Sequence, residues 1–186
     1  MTKCKICREE FIKRSISHKV CSNVDCALAW IEQERAKKLK KKQMADRKET
    51  KLKLDKLKTR SDYIKETQIA FNAYIRTRDR DKPCISCGVT LAREAIGGGF
   101  DCGHYRSVGS APHLRFHFDN AHGQCKKCNR YGSGMGVDYR IGLIPRIGVD
   151  RVESVEKNTA PGKWTIPELI EMKKKFQQMK KELENE

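Results

Sequence analysis

The spacing of the cysteines constrains this chain more than any other feature. Cys84-Ile85-Ser86-Cys87 and Cys125-Lys126-Lys127-Cys128 are two CxxC pairs, and Cys4-Lys5-Ile6-Cys7 is a third, followed by Cys21 and Cys26. A CxxC pair sets two sulfurs on one side of a tetrahedron, so two pairs make a four-thiolate zinc site. The start, Met1-Thr2-Lys3-Cys4, carries no apolar stretch of the kind an export signal needs, and no run is long enough to span a bilayer. The expected setting is therefore the cytoplasm, where thiols stay reduced and nine cysteines argue for metal over disulfides. They divide into Cys84, Cys87, Cys125 and Cys128 for one structural zinc, Cys4, Cys7, Cys21 and Cys26 for a second, and Cys102 left over.

Charge sets the partner. The net charge is +16, with 34% of residues charged and 38% hydrophobic, so the core is small for 186 residues and a polyanion is the expected ligand. Nucleic acid is the default and an anionic membrane the rival; the expectation is DNA and no membrane.

Taken in order, residues 1–30 read as a finger-like unit too short to fold without zinc. Phe11-Ile12 and Lys19-Val20 are candidates for a hairpin, Cys26 for the start of a helix, and His18 for an alternative ligand. Residues 31–60 are a basic segment with no Gly or Pro, a helical linker that can also serve as an arm along a phosphate backbone; Lys40, Lys41 and Lys42 are its candidate DNA contacts. Residues 61–186 form the main domain. A bracing helix over 61–80 is expected to start at Ser61, with Ile64, Ile69, Phe71, Tyr74 and Ile75 as its apolar stripe. Gly97-Gly98-Gly99 reads as a turn, Phe100 to Arg106 as a strand, Leu114 to Phe118 as a second strand, and Asn129 to Met135 as a short helix. Helices over 137–186 follow: Val137 to Ile144 ending near Pro145, Val149 to Glu156, and a last one opened by the capping box Thr165-Ile166-Pro167-Glu168. Its stripe, Leu169, Met172, Phe176, Met179 and Leu183, fits packing on the same chain in preference to a homodimer seam.

Inside the zinc frame lie groups that zinc does not need. Asp101 and Asn129 are hard oxygen donors suited to Mg²⁺, with Mn²⁺ as a substitute, and His104 is a natural base for water near neutral pH. On an extended strand Asp101 and His104 point to opposite faces, so a bulge at Gly103 is expected to make them converge. Together these groups suit phosphodiester hydrolysis. A non-catalytic zinc module that binds nucleic acid would share the cysteines and the charge, though it has no use for Asp101, His104 and Asn129 together. An adaptor that holds a protein partner leaves the charge unexplained.

Asp-x-x-His between two CxxC pairs, with Asn after the last cysteine, resembles the HNH (ββα-metal) nucleases, and among them phage endonuclease VII. Pro83-Cys84-Ile85-Ser86-Cys87-Gly88, Gly103-His104-Tyr105-Arg106, Leu114-Arg115-Phe116, Cys128-Asn129 and Arg146-Ile147-Gly148 are similar to the NinG (Rap) recombination proteins of lambdoid phages, over nearly the whole chain. The resemblance implies an α+β fold with a small, zinc-stabilised, treble-clef-like ββα-metal core flanked by helices and an N-terminal zinc finger. It also implies a metal-dependent endonuclease cutting branched DNA, such as D-loops and Holliday junctions, in a host cell's cytoplasm, alongside recombination proteins or as a homodimer. His104 would be the base, and Asp101 and Asn129 the metal ligands. Arg106 and Arg115, in the core, are the further DNA-contact candidates. Cys102 stands where endonuclease VII has a histidine beside its Asp; His122 is placed to compensate or to position the loop. His113 and His117 are expected to face DNA or solvent.

Overall fold

A computed structural model describes residues 1–91, 99–160 and 162–185. It divides into two compact units, Met1–Lys58 and Thr59–Glu186. Gly97 and Gly98 of the expected turn lie outside the described residues; Gly99 is a bend.

The first unit opens with strands β1 (Thr2–Lys3) and β2 (Glu10–Phe11), paired antiparallel as Thr2 with Phe11 and Lys3 with Glu10. The hairpin therefore flanks the first CxxC; it does not join Phe11-Ile12 to Lys19-Val20 as expected. The reason is the knuckle itself. Arg8 N–H donates to the Cys4 carbonyl at 3.1 Å and Cys4 N–H to Glu9 O at 2.8 Å, which turns the chain back on itself before residue 10. Helix α1 (Val24–Leu57) follows, with the Asn23 side chain accepting from Asp25 N and Cys26 N. Cys26 thus sits in the first turn, as expected, and α1 runs on through residue 30 without a break.

In the second unit, α2 (Arg60–Arg78) is capped by Thr59, two residues before the expected Ser61. Thr59 and Asp62 form a reciprocal capping box, which a serine at 61 could not complete. Strands β3 (Phe100–His104) and β4 (Ala121–Cys125) make an antiparallel hairpin, Phe100 opposite Cys125 and His104 opposite Ala121. The expected second strand at 114–118 is instead two 3₁₀ turns, Pro112–Leu114 and Phe118–Asn120. Asn120 locks that loop: its side chain accepts from Arg106 N at 2.8 Å and donates to Arg106 O at 3.0 Å and Leu114 O at 3.2 Å. The short helix expected from Asn129 is a π-helical turn, Lys127–Tyr131, that begins before the last zinc cysteine.

Helices α3 (Gly136–Ile147), α4 (Val149–Lys157) and α5 (Ile166–Asn185) complete the unit. Pro145 lies inside α3 and does not end it. The bond that Pro145 cannot make is to the carbonyl of Ile141, a residue 64% exposed, so water can take that carbonyl. Gly148, at φ 86, closes the helix three residues later. The Thr165–Glu168 capping box is present, with Thr165 N donating to Glu168 Oε2 at 2.6 Å. The stripe of α5 packs on α2 within the chain: Leu169 and Phe176 are buried with Ala70, Phe71, Tyr74 and Ile75, and Met172, Met179 and Leu183 close the rim.

Asp79, which caps α2, ties the helix to the hairpin. It is fully buried and accepts from Arg78 Nε and Nη2 (2.9 and 2.7 Å), Lys82 Nζ (3.1 Å) and Gly123 N of β4 (2.9 Å). Burial would raise its pKa, but the Arg78 guanidinium outweighs that and holds it down at about 2.

Candidate active site and metal centres

The two cysteine quartets are built alike. In each the four sulfurs lie within 4.8 Å of one another. Cys7 and Cys21 Sγ are 3.8 Å apart, as are Cys87 and Cys125 Sγ. Four sulfurs about 2.3 Å from a tetrahedral zinc would be separated by roughly 3.8 Å, whereas a disulfide would bring a pair to about 2.05 Å. The correspondence extends to the backbone. Cys84 N bonds Val89 O and Gly88 N bonds Cys84 O, as Cys4 N bonds Glu9 O and Arg8 N bonds Cys4 O. Ile85 N donates to Gly123 O and Lys5 N to Lys19 O, each at 3.1 Å. Arg8 and Gly88 share the left-handed backbone at φ 68 and 71. Cys21 N and Cys125 N each donate to the first sulfur of their own quartet at 3.3 Å. Burial opposes ionisation of Cys4 and Cys84, but such backbone donors prevail and draw the thiols to about 6 and about 7. Both quartets fit zinc by donor chemistry and spacing.

The other candidate ligands fall outside these clusters. His18 accepts from Arg14 N and packs edge-on against Phe11. Cys102 is buried with Phe71, Phe116 and Ala121, and burial pushes its thiol up to about 12, so it is a core residue. His122 is buried too, 3.5 Å from the Tyr139 hydroxyl, with its pKa lowered to about 3 by burial; it supports the interior of the hairpin.

Asn129 is bonded to Asp101 and lines one cavity with His104, but Asp101 itself does not line that cavity. The β3–β4 register is regular through Gly103, with no bulge. Glycine is needed at 103 for closeness instead: a Cβ there would meet Gln124 Oε1 at 2.1 Å. Asn129 makes the link. Its Nδ2 donates to Asp101 Oδ2 at 3.0 Å, and it lines, with His104, a 250 Å³ cavity whose rim includes Ser133, Gly134 and Gly136. Ser133 in that rim and Met135, between two of its glycines, have left-handed backbone, a strained arrangement of the kind found at functional sites.

His104 Nε2 lies 2.9 Å from the carbonyl oxygen of Arg115. A carbonyl can only accept, so Nε2 carries the proton and Nδ1 of the neutral ring keeps its lone pair. Burial lowers the His104 pKa, which favours that neutral ring. Asp101 also accepts from Arg130, Nε to Oδ2 at 2.7 Å and Nη2 to Oδ1 at 2.9 Å; this guanidinium, with help from Asn129, holds its carboxyl below the usual range. Both oxygens of the Asp101 carboxylate are thus already engaged by a cation, with the Asn129 carboxamide beside them.

The basic candidates separate. Lys40, Lys41 and Lys42 are exposed on α1. Arg115 is half-buried and donates to Gln68 Oε1 at 3.2 Å. Arg106 gives Nη1 to the carbonyls of Val155, Glu156 and Asn158, so it closes the C-terminus of α4. His113 bonds Asn158 O, and the exposed His117 accepts from Asp119 N. Arg130 and the fold-bracing Asp79 and Tyr139 were not singled out from the sequence. Tyr139 donates to Gly103 O at 3.0 Å, which fixes the strand one residue before His104.

All of residues 1–186 match the family described as Bacteriophage Lambda NinG protein. Protein ninG of Escherichia phage 933W is 47% identical over 137 residues, covering 73% of this chain and 66% of that protein. Protein ninG of Escherichia phage lambda is likewise 47% identical over 137 residues, 73% of this chain and 65% of the relative, and that of Salmonella phage P22 is 46% identical over 135 residues, 72% and 64%. The aligned part therefore spans just under two thirds of the length of these relatives. No solved structure matches the chain. With its full length covered by the family model and nearly half its aligned residues shared with these proteins, the chain belongs to the NinG family of lambdoid phage proteins.

Proposed function

We propose that the chain is a metal-dependent, HNH-type DNA endonuclease that cuts branched recombination intermediates by phosphodiester hydrolysis. The observation that carries this reading is the His104 ring. Its Nε2 is tied to the Arg115 carbonyl, which leaves Nδ1 as the proton acceptor, and it shares a cavity with the Asn129 that is bonded to Asp101. His104 takes the proton from the attacking water. Asp101 and Asn129 would hold Mg²⁺, or Mn²⁺ in its place. Bound there, the ion supplies positive charge at the scissile phosphate and the leaving oxygen.

The zinc quartet serves this chemistry indirectly. Cys125 ends β4 and Cys128 lies in the π-helical turn, so the knuckle fixes Asn129 against Asp101. Affinity comes from phosphate contacts by the exposed basic residues of α1, which carry little sequence information, so discrimination rests on DNA shape. No helix among the described residues is long and apolar enough to cross a membrane. The protein acts in the host cytoplasm, where its substrate is.

The test is incubation of the full chain with labelled four-way junction, D-loop and linear duplex, with and without Mg²⁺. Metal-dependent cuts confined to the branched substrates are expected. Shifts in mobility without cuts at any metal concentration would leave a zinc-containing binding module as the reading.

A further inference from the structure

Arg130 is an exposed arginine directly after Asn129, and its guanidinium faces the carboxylate that the proposed function assigns to the metal. Both Asp101 oxygens are engaged by the fork, at 2.7 and 2.9 Å, and Asn129 Nδ2 adds a third donor. The Arg130 side chain is 57% exposed and that of Asp101 only 19%. Among the described residues, Asp101 is the hydrogen-bond partner of this guanidinium. Other arginines of the unit are tied into the fold: Arg78 to Asp79, Phe118 O and Ala121 O, Arg106 to the end of α4, Arg140 to Glu156. Arg130, by contrast, is exposed and holds both oxygens of the carboxylate assigned to the ion.

We infer that Arg130 is a resident counter-cation of the metal site which the divalent ion displaces, and that the released guanidinium then becomes a ligand of the DNA phosphate at the same site. The inference rests on the reading of Asp101 as the metal ligand. Its physical basis is competition. A guanidinium fork and a divalent ion compete for the same carboxylate lone pairs, three of which Arg130 and Asn129 already occupy. A planar fork freed beside a phosphodiester finds there the acceptor geometry it has just lost. Until the ion arrives, the pair keeps Asp101 ionised and in place.

The consequence is a coupling between metal and DNA. If metal entry liberates a phosphate ligand, metal tightens DNA binding, and DNA tightens metal binding by the same factor. Removing Arg130 abolishes that part of the coupling while improving metal binding on its own. A purely structural arginine would do the reverse, because losing it would loosen Asp101 and weaken the metal.

The experiment measures Mn²⁺ affinity of the zinc-loaded full chain by the loss of the free-ion paramagnetic resonance signal, for wild type, Arg130→Ala, Arg130→Lys and Asp101→Ala. Labelled junction binding is then followed by anisotropy, with and without Mn²⁺, in the His104→Ala background so that the DNA stays whole. Arg130→Ala should bind Mn²⁺ about two- to fivefold more tightly, the range set by a half-exposed ion pair. Arg130→Lys keeps the charge but loses the fork, and should also bind more tightly than wild type. Both should lose the gain in junction affinity that Mn²⁺ gives the parent. Unchanged or weaker Mn²⁺ binding in the Arg130 variants, with Asp101→Ala clearly weakened, would overturn the inference and leave the metal-site reading standing. Unchanged binding in Asp101→Ala would remove both.

Discussion

Asp79→Asn should destabilise the second unit severely while changing the shape of one side chain hardly at all. The carboxylate is fully buried and receives donors from Arg78, Lys82 and the Gly123 backbone. An asparagine of the same outline loses the charge and turns an NH₂ toward at least one of those donors, so a largely buried guanidinium is left half-compensated. Breaking a buried pair from one side typically costs about 3–5 kcal/mol. The depressed pKa gives an independent floor. A carboxyl held at about 2 against an ordinary 3.8 contributes about 2 kcal/mol at neutral pH, a contribution complete above the ordinary value and lost as pH falls through about 2. Zinc thiolates also take up protons in acid, so pH 7 is the clean condition. Against a total stability of about 5–15 kcal/mol, a loss of about 3–5 lowers Tm by roughly 12–20 °C. Circular dichroism melts of the zinc-loaded protein, with zinc content checked before and after, measure it. A shift under about 4 °C would mean that the Asp79 network does not join α2 to the hairpin energetically, and the account of how the site is held would fail.

His104→Ala should slow cutting by about 10²–10⁴ with junction binding and zinc content unchanged, and without rescue by metal, as expected of a general base; Asp101→Ala and Asn129→Ala should recover part of their lost rate at high Mg²⁺ or with Mn²⁺, and equal rescue of all three would move His104 into the metal shell. Because burial lowers the His104 pKa and the neutral ring is the active form, the acid limb of the cutting rate should lie below pH 6.5; a limb above that value would mean another group titrates. Elemental analysis should find two zinc ions per chain, unchanged in Cys102→Ser and reduced in Cys84→Ser, which should also melt the second unit; loss of an ion in Cys102→Ser would break the partition. Lys40, Lys41 and Lys42 are spread about 100° apart around α1, so no more than two can follow one phosphate backbone, and their replacement by Gln should lower the log–log salt slope by about 1–2 for every DNA shape.

Local chemistry was legible in the sequence, and long-range pairing was not. The quartets, the odd Cys102 and the Thr165–Glu168 cap follow from spacings of a few residues. The α5 stripe follows from helical period, and its partner α2 from a matching stripe, except that Ile69, expected in it, is exposed. Strand β4 was missed because Ala121-His122-Gly123-Gln124 sets small residues between polar ones and buries both, so no apolar face marks it. Its polar groups find partners far away: His122 lies against Tyr139, and Gln124 Nε2 donates to Ser86 Oγ and Gly134 O. The structural role of Arg106 was missed for the same reason, since the open carbonyls of α4 that it closes lie some fifty residues on. The Arg130–Asp101 pair joins two elements across 29 positions and leaves no local signal.

The duplication of the zinc knuckle separates scaffold from chemistry. Each quartet repeats the other in its first turn, its left-handed residue and its sulfur-directed backbone donor. The difference lies in what the chain threads between the second and third cysteines and sets after the fourth. Between Cys87 and Cys125 it inserts β3 and the Asn120-locked loop, which deliver Asp101, His104 and the Arg115 carbonyl; between Cys7 and Cys21 it inserts β2 and a short turn region with no such set. After Cys128 come Asn129 and Arg130, both bonded to Asp101; after Cys26 come Ala27 and the exposed Leu28. The first knuckle therefore has the means to hold zinc and to start α1, whose Asn23 cap and Cys26 ligand share one turn, but it lacks the Asp101, His104 and Asn129 arrangement of the second. Its part in the proposed activity is to anchor the root of a basic helix whose exposed lysines are then carried on one continuous element.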